Sequence, residues 1–201
     1  PAAPVAAVTA PAGTNWIDTV VKTPEGGYRM GNPDAPIKLV EYGARSCPAC
    51  GAFNRASAQA LPENYVASGK VSFEFRDFLV HGAPDLSLAL IGNCAGNAAF
   101  FPVLDQMYHD QNAYHDKLQS MSAATQNQLK SQTPAQALTT LAVEMDMIDF
   151  GKQRGIDIAS AQQHCGGDRG APVDMAVDLR RGDAVAPGDL LIGIGKRLEQ
   201  S

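Results

Sequence analysis

The 201 residues give one domain, or one domain with a sizeable insertion. Hydrophobic residues make up 45 % and charged residues 18 %, an ordinary soluble composition. The formal net charge of -5 provides no basic footprint for nucleic acid and no polybasic patch for a membrane surface, and no apolar run approaches the ~20 residues of a membrane helix. Pro1 to Thr14 (PAAPVAAVTAPAGT) is Pro/Ala-rich without helical or strand periodicity and reads as a flexible linker over 1–15. The chain starts with Pro1 rather than Met, which fits an exported protein whose leader has been removed; the linker reads as a disordered mature N-terminus or as a tether to a membrane anchor, and its composition favours the first.

Order is expected from Trp16. Gly27 to Gly31 predicts a short strand, followed by a turn cluster at Asn32-Pro33-Asp34-Ala35-Pro36. Ile37 to Tyr42 (IKLVEY) is short and largely apolar, as a central strand should be. Cys50 to Leu61 predicts a helix. Val71, Phe73 and Phe75 then alternate with Ser72, Glu74 and Arg76 in a strand to about Phe78. This is the order of a β-α-β unit. A helical block follows, with Asp85 as the cap of a helix through Leu86 to Ile91 and a second helix over Phe100 to His109. Thr133-Pro134 reads as an N-cap and first-turn proline opening a helix to about Met147. Ile156 to Gln163 and Pro172 to Arg181 are further helical segments, and Leu190 to Ile194 a late strand.

The chemistry is expected at Cys47-Pro48-Ala49-Cys50. Two cysteines three apart in a first helical turn share a face and can satisfy disulfide geometry. Pro48 is tolerated there because its missing N–H costs nothing at a helix start. The free N–H groups and positive dipole end of the helix favour a Cys47 thiolate, with a pKa in the range of ~3.5–7.5 known for such sites. A stabilised thiolate favours the dithiol and makes the disulfide a stronger oxidant. Cys47 is then the exposed, attacked sulfur and Cys50 the resolving one. Arg45 and Ser46 flank the pair, as donors of charge and a hydrogen bond or as plain solvated loop residues. A structural zinc site would need four ligands, and the chain has no second CxxC and no HxxxH. His81, His109, His115 and His164 are scattered and read as surface or core residues, so no metal or other cofactor is expected. Cys94 and Cys165 are either a second disulfide or two separate buried thiols.

The runs LVEYGARSCPACGAF (Leu39 to Phe53), FEFRDF (Phe73 to Phe78) and NCAGNAAFFPVLDQMY (Asn93 to Tyr108) resemble the DsbA-type branch of thioredoxin-fold proteins. The resemblance covers most of Gly27 to Asp168. It implies an α/β, thioredoxin-like fold with an inserted α-helical domain: a core over 16–80 and 170–201, and an insertion over 81–169. It implies a periplasmic oxidoreductase that introduces disulfides into reduced or unfolded exported proteins and is reoxidised by a membrane quinone-linked partner. It matches Glu41 to the family's buried acid beneath the cysteines. It also implies a structural disulfide between Cys94 and Cys165, a long-loop bridge contributing about 4 kcal/mol on the chain-entropy model.

Two departures stand out. Ala49 replaces the commoner histidine, so a less extreme oxidant than the strongest members (~-120 mV) is expected. The family's cis-proline is best matched by Pro187, yet Gly188 and Asp189 after it are poor strand formers and little chain remains to Ser201 for a last helix. The N-terminus lacks heptads, which favours a monomer over an oligomeric isomerase. The alternatives are a disulfide isomerase or reductase, and a non-catalytic module holding a metal on Cys47 and Cys50.

Overall fold

The computed structural model describes residues 5–156 and the backbone of a strand at 189–192. The chain divides into two compact units, Pro1–Gly43 with Ala56–Asp77 and Val185–Ser201, and Ala44–Arg55 with Phe78–Ala184.

The first unit is built on a five-stranded sheet: β1 (Val20–Lys22), β2 (Tyr28–Met30), β3 (Ile37–Gly43), β4 (Val71–Asp77) and β5 (Asp189–Ile192), in the order β1-β2-β4-β3-β5. β3 and β4 run parallel, with Leu39 opposite Phe73 and Glu41 opposite Phe75, as a β-α-β connection requires. β5 joins β3 in parallel, and β2 joins β4 antiparallel. The centre of the sheet is apolar because Leu39, Val40, Val71, Phe73 and Phe75 are all buried. The polar Glu74 is also buried, and its carboxylate accepts from Thr23 Oγ1 and Arg76 Nε, both at 2.7 Å. Residues 5–14 form no helix or strand, but Val8 is pinned at both backbone atoms: its N–H donates to Ser68 O at 2.9 Å and its carbonyl accepts from Trp16 Nε1 at 2.7 Å.

Both central strands lie where the sequence puts them, β3 by its apolar content and β4 by its alternation. β1 is an addition, three largely solvent-facing residues with no apolar face to announce it. β5 corrects the expected start of the late strand, because Asp189 is already paired, opposite Lys38. The first helix, α1 (Pro48–Ser57), starts earlier and stops sooner than expected. The chain then makes a π-helical segment at Leu61–Val66, with Pro62 at its start, where a missing N–H ends ordinary α pairing.

Among the described residues the second unit holds six more helices: α2 (Ala83–Asn93), α3 (Gly96–His109), α4 (Gln111–Gln119), α5 (Ala123–Ser131), α6 (Pro134–Glu144) and α7 (Met147–Lys152). Their apolar stripes meet in one core that includes Leu88, Ile91, Met107, Leu141, Met145 and Phe150. The Thr133-Pro134 signal opens α6 as expected, and the cap is reciprocal: Thr133 Oγ1 accepts from Gln136 N–H while Gln136 Oε1 accepts from Thr133 N–H. That helix ends at Glu144, short of Met147, because Asp146 adopts a left-handed conformation (φ 58°) before α7 begins. The expected cap of α2 is also corrected. Gly82, at φ 68°, takes the cap position, and Asp85 sits inside the first turn. The helical segments expected at 156–163 and 172–181 lie outside the described residues, apart from Ile156, which is not helical.

Candidate active site

Cys47 closes a tight turn and opens α1. Its N–H donates to Ala44 O and its carbonyl accepts from Gly51 N–H, both at 3.0 Å, so it occupies the cap of the helix. Pro48 follows as the first helical residue. Cys50 lies one turn on, and neither cysteine is in a disulfide. Cys47 is less accessible than the expected exposed sulfur, at 8 %, but it remains the more accessible of the two, with Cys50 at 1 %.

The segment before the pair is not a solvated loop. Arg45 and Ser46 are each only 1 % exposed. Arg45 points its guanidinium into the helical unit, where Nη2 donates to Asn93 Oδ1 at 3.1 Å, Nη1 meets Met107 Sδ at 3.6 Å, and Cζ lies 5.4 Å from the centre of the Phe100 ring. Gly92 makes the room: a Cβ there would stand 2.4 Å from Arg45 Nη1.

Four successive carbonyls, from Ala44 to Cys47, are held by side chains of the helical unit. Tyr108 Oη donates to Ala44 O at 3.3 Å. Gln111 Nε2 donates to both Arg45 O (3.0 Å) and Cys47 O (2.8 Å), and Tyr114 Oη also donates to Arg45 O. His115 Nε2 donates to Ser46 O at 2.6 Å. Burial pushes the Tyr114 phenol up, which keeps it a donor. Gln111 fits over the first turn of α1 because Gly51 has no side chain; a Cβ there would approach Gln111 Oε1 to 2.4 Å. Further along α1, Asn54 Nδ2 donates to Asp105 Oδ1 at 2.7 Å and Arg55 Nη1 to Tyr108 O at 3.0 Å.

Ser46 is held at every polar atom. Its N–H donates to Asp85 Oδ1 at 3.0 Å, its carbonyl takes the His115 bond, and its Oγ lies 2.6 Å from His81 Nδ1. Asp85, itself buried, also accepts from His81 N–H at 2.7 Å. These partners were not legible as site residues. Gln111, Tyr114 and His115 lie on α4 (QNAYHDKLQ), which has no apolar periodicity to mark it as packed. Chemically, the arrangement offers two thiols on one helical turn and a backbone fixed against rotation.

Glu41, on β3 in the first unit, is buried with its Oε1 unpartnered, and burial raises its pKa from 4.5 to about 7. Gly43 leaves space for it, since a Cβ there would meet Glu41 Oε1 at 2.8 Å and the Phe75 ring at 2.4 Å. Cys94 follows α2 and is disulfide-bonded. Cys165, Pro187 and His164 lie outside the described residues. His109 is exposed and pairs with Asp110. Among the described residues no group of three or more His, Cys, Asp or Glu side chains gathers at metal-binding distance, and no helix is long and apolar enough to cross a membrane.

Comparison with known proteins places this geometry. The "Probable disulfide bond formation protein D" of Bacillus cereus is 33 % identical over 89 residues, 41 % of this chain and 39 % of that protein. The chain thus spans about two fifths of the length of the curated relatives it matches. Among solved structures, a protein-disulfide isomerase from Novosphingobium aromaticivorans superposes with a TM-score of 0.68 at 25 % identity, covering 81 % of this chain and 84 % of that one. The alpha-DsbA1 of Wolbachia pipientis shares the fold, with a TM-score of 0.52 at 18 % identity over 76 % of this chain and 65 % of its own. The thioredoxin family model matches residues 23–158, more than half of the sequence. The fold is thioredoxin-like, the motifs and the relatives agree, and the chain belongs to the thioredoxin family.

Proposed function

We propose that the chain is a periplasmic thiol–disulfide oxidoreductase that passes disulfides to reduced, exported proteins through Cys47 and Cys50. The observation that carries the reading is the pair itself: two reduced cysteines one helical turn apart, the outer one at the cap of α1 and at its positive dipole end. In the oxidised enzyme a substrate thiolate attacks Cys47 Sγ. The Cys47–Cys50 bond breaks, Cys50 leaves as a thiolate and takes up a proton, and a mixed disulfide forms. A second substrate thiolate attacks the substrate sulfur of that bond, forming the substrate disulfide and releasing Cys47 as thiolate. Two electrons move from the substrate to the pair, and a membrane quinone-linked reoxidase removes them.

Glu41 is assigned to proton handling in this cycle, on its burial and raised pKa. Pro187 is assigned to substrate binding, and the Cys94 disulfide to a structural bridge with Cys165. The reading includes a helical insertion over 81–169 between core segments 16–80 and 170–201, and a monomer. Oxidation of a reduced two-cysteine peptide by the pre-oxidised protein tests the activity. Catalysis by wild type and its loss in Cys47→Ala supports it; equal rates in both contradict it.

The Novosphingobium neighbour is described as a protein-disulfide isomerase, which favours isomerisation as a second reading. Reactivation of a protein with scrambled disulfides by the reduced form separates the two, since oxidase chemistry needs the oxidised form.

A further inference from the structure

The dipeptide between the cysteines contains no side chain able to hydrogen bond to or charge the nucleophile, because Ala49 ends in a methyl. The helical unit nevertheless brings two imidazoles to the residue next to Cys47. They do different work. His115 Nε2 faces a carbonyl, so it must carry a proton and act as a fixed strut. His81 Nδ1 faces a hydroxyl, Ser46 Oγ at 2.6 Å, which can donate or accept. The His81 side chain is also half-exposed, so it exchanges protons with water, whereas Ser46 is buried. Resting on the oxidoreductase reading, we propose that His81 is a positioning residue of the exchange site, which acts through Ser46 to set how far the Cys47–Cys50 pair favours its reduced form.

Histidine is the side chain whose ordinary charge change falls near neutrality. A charged His81 must donate to Ser46 Oγ, which frees the hydroxyl proton and adds positive charge one residue from the nucleophile. Both effects favour a Cys47 anion and therefore the dithiol. The other ionisable or charged groups around Ser46 are Asp85 from α2, whose Oδ2 is 3.7 Å from His81 Nδ1, Tyr114 and His115 from α4, and Arg45 and Cys47 beside it in the chain. Asp85 is already engaged by two backbone N–H groups and is in place to hold a charged imidazole.

The test is the equilibrium with glutathione, in which two glutathione thiols are oxidised to one glutathione disulfide while the Cys47–Cys50 bond is reduced; of the two protons released, one goes to Cys50 and the other to Cys47 or, where Cys47 stays an anion, to water. The constant is measured at pH 5.5 and pH 8 for wild type, His81→Gln, Ser46→Ala and the double variant. The inference predicts that His81→Gln lowers the constant for enzyme reduction about three- to tenfold at pH 5.5, the range expected for one partly screened charge, and by less than about twofold at pH 8. Ser46→Ala shifts it in the same direction, and the double variant goes no further than the larger single change. An unchanged constant in His81→Gln, an equal shift at both pH values, or additive single effects overturns it. His81→Asn replaces the glutamine variant if that one does not fold. Failure of wild type to equilibrate with glutathione at all sinks the redox reading and this inference together, whereas normal equilibration with an unresponsive His81→Gln sinks this inference alone.

Discussion

Gln111 Nε2 donates to the carbonyl of Cys47 at 2.8 Å and to that of Arg45 at 3.0 Å, so one side chain of α4 fixes both ends of the segment that carries the nucleophile. The two acceptors are two residues apart, and Gln111 is itself buried, so water does not replace the bonds easily. Gln111→Ala should cost about 2–3 kcal/mol, the scale of losing two buried hydrogen bonds. Urea unfolding measures it, and a lower midpoint with unchanged slope is the expected result.

Gly92 faces the Arg45 guanidinium, which is tied to Asn93 and packed on Phe100. A methyl at Gly92 forces that group aside. Gly92→Ala should destabilise the protein by about 1–3 kcal/mol, although alanine is the better helix former. Thermal unfolding checks the direction: a gain in Tm would mean Arg45 has room to move.

The buried Glu41 carboxyl gives stability a pH dependence. Its folded pKa of about 7 lies above the ordinary 4.5, so between these values the folded state binds a proton the unfolded state has lost. Stability therefore falls as pH rises through that window, by roughly 3 kcal/mol in all, and stays low above it. Glu41→Gln cannot ionise. It should raise stability at pH 8 by roughly 2–3 kcal/mol and flatten the slope between pH 4.5 and 7, as read from denaturant midpoints across pH.

Thr133 and Gln136 satisfy each other's backbone N–H groups at the start of α6. Thr133→Ala should cost about 1 kcal/mol and leave the thiol chemistry untouched. Calorimetry together with a peptide-oxidation assay separates the two effects.

What could be read from the sequence depended on whether the signal was local. β3 and β4 announced themselves through apolar content and alternation, and α6 through Thr133-Pro134, because strand faces and caps are written within a few residues. The CxxC at a helix start was legible for the same reason. α4 was not: it buries a glutamine and a tyrosine instead of an apolar stripe, and its reason for folding lies in carbonyls some 65 positions earlier in the chain. The same holds for His81 and Asp85, whose partner is Ser46. In sequence Asp85 reads as a cap of its own helix, because nothing nearby reveals the distant Ser46 N–H that it accepts. Arg45 reads in sequence either as a charge donor to the pair or as a solvated loop cation; the structure makes it a buried anchor, which depends on a glycine in α2.

Reversible bridging of Cys47 and Cys50 underlies the proposed activity. Mass spectrometry after thiol alkylation, on protein taken through a glutathione redox series, measures it most directly. The account predicts that the two sulfurs pass together from two alkylated thiols to an unlabelled disulfide, with a trapped mixed disulfide on Cys47 in Cys50→Ala. Two thiols that remain alkylated under fully oxidising glutathione, or a mixed disulfide that forms only on Cys50, would contradict it.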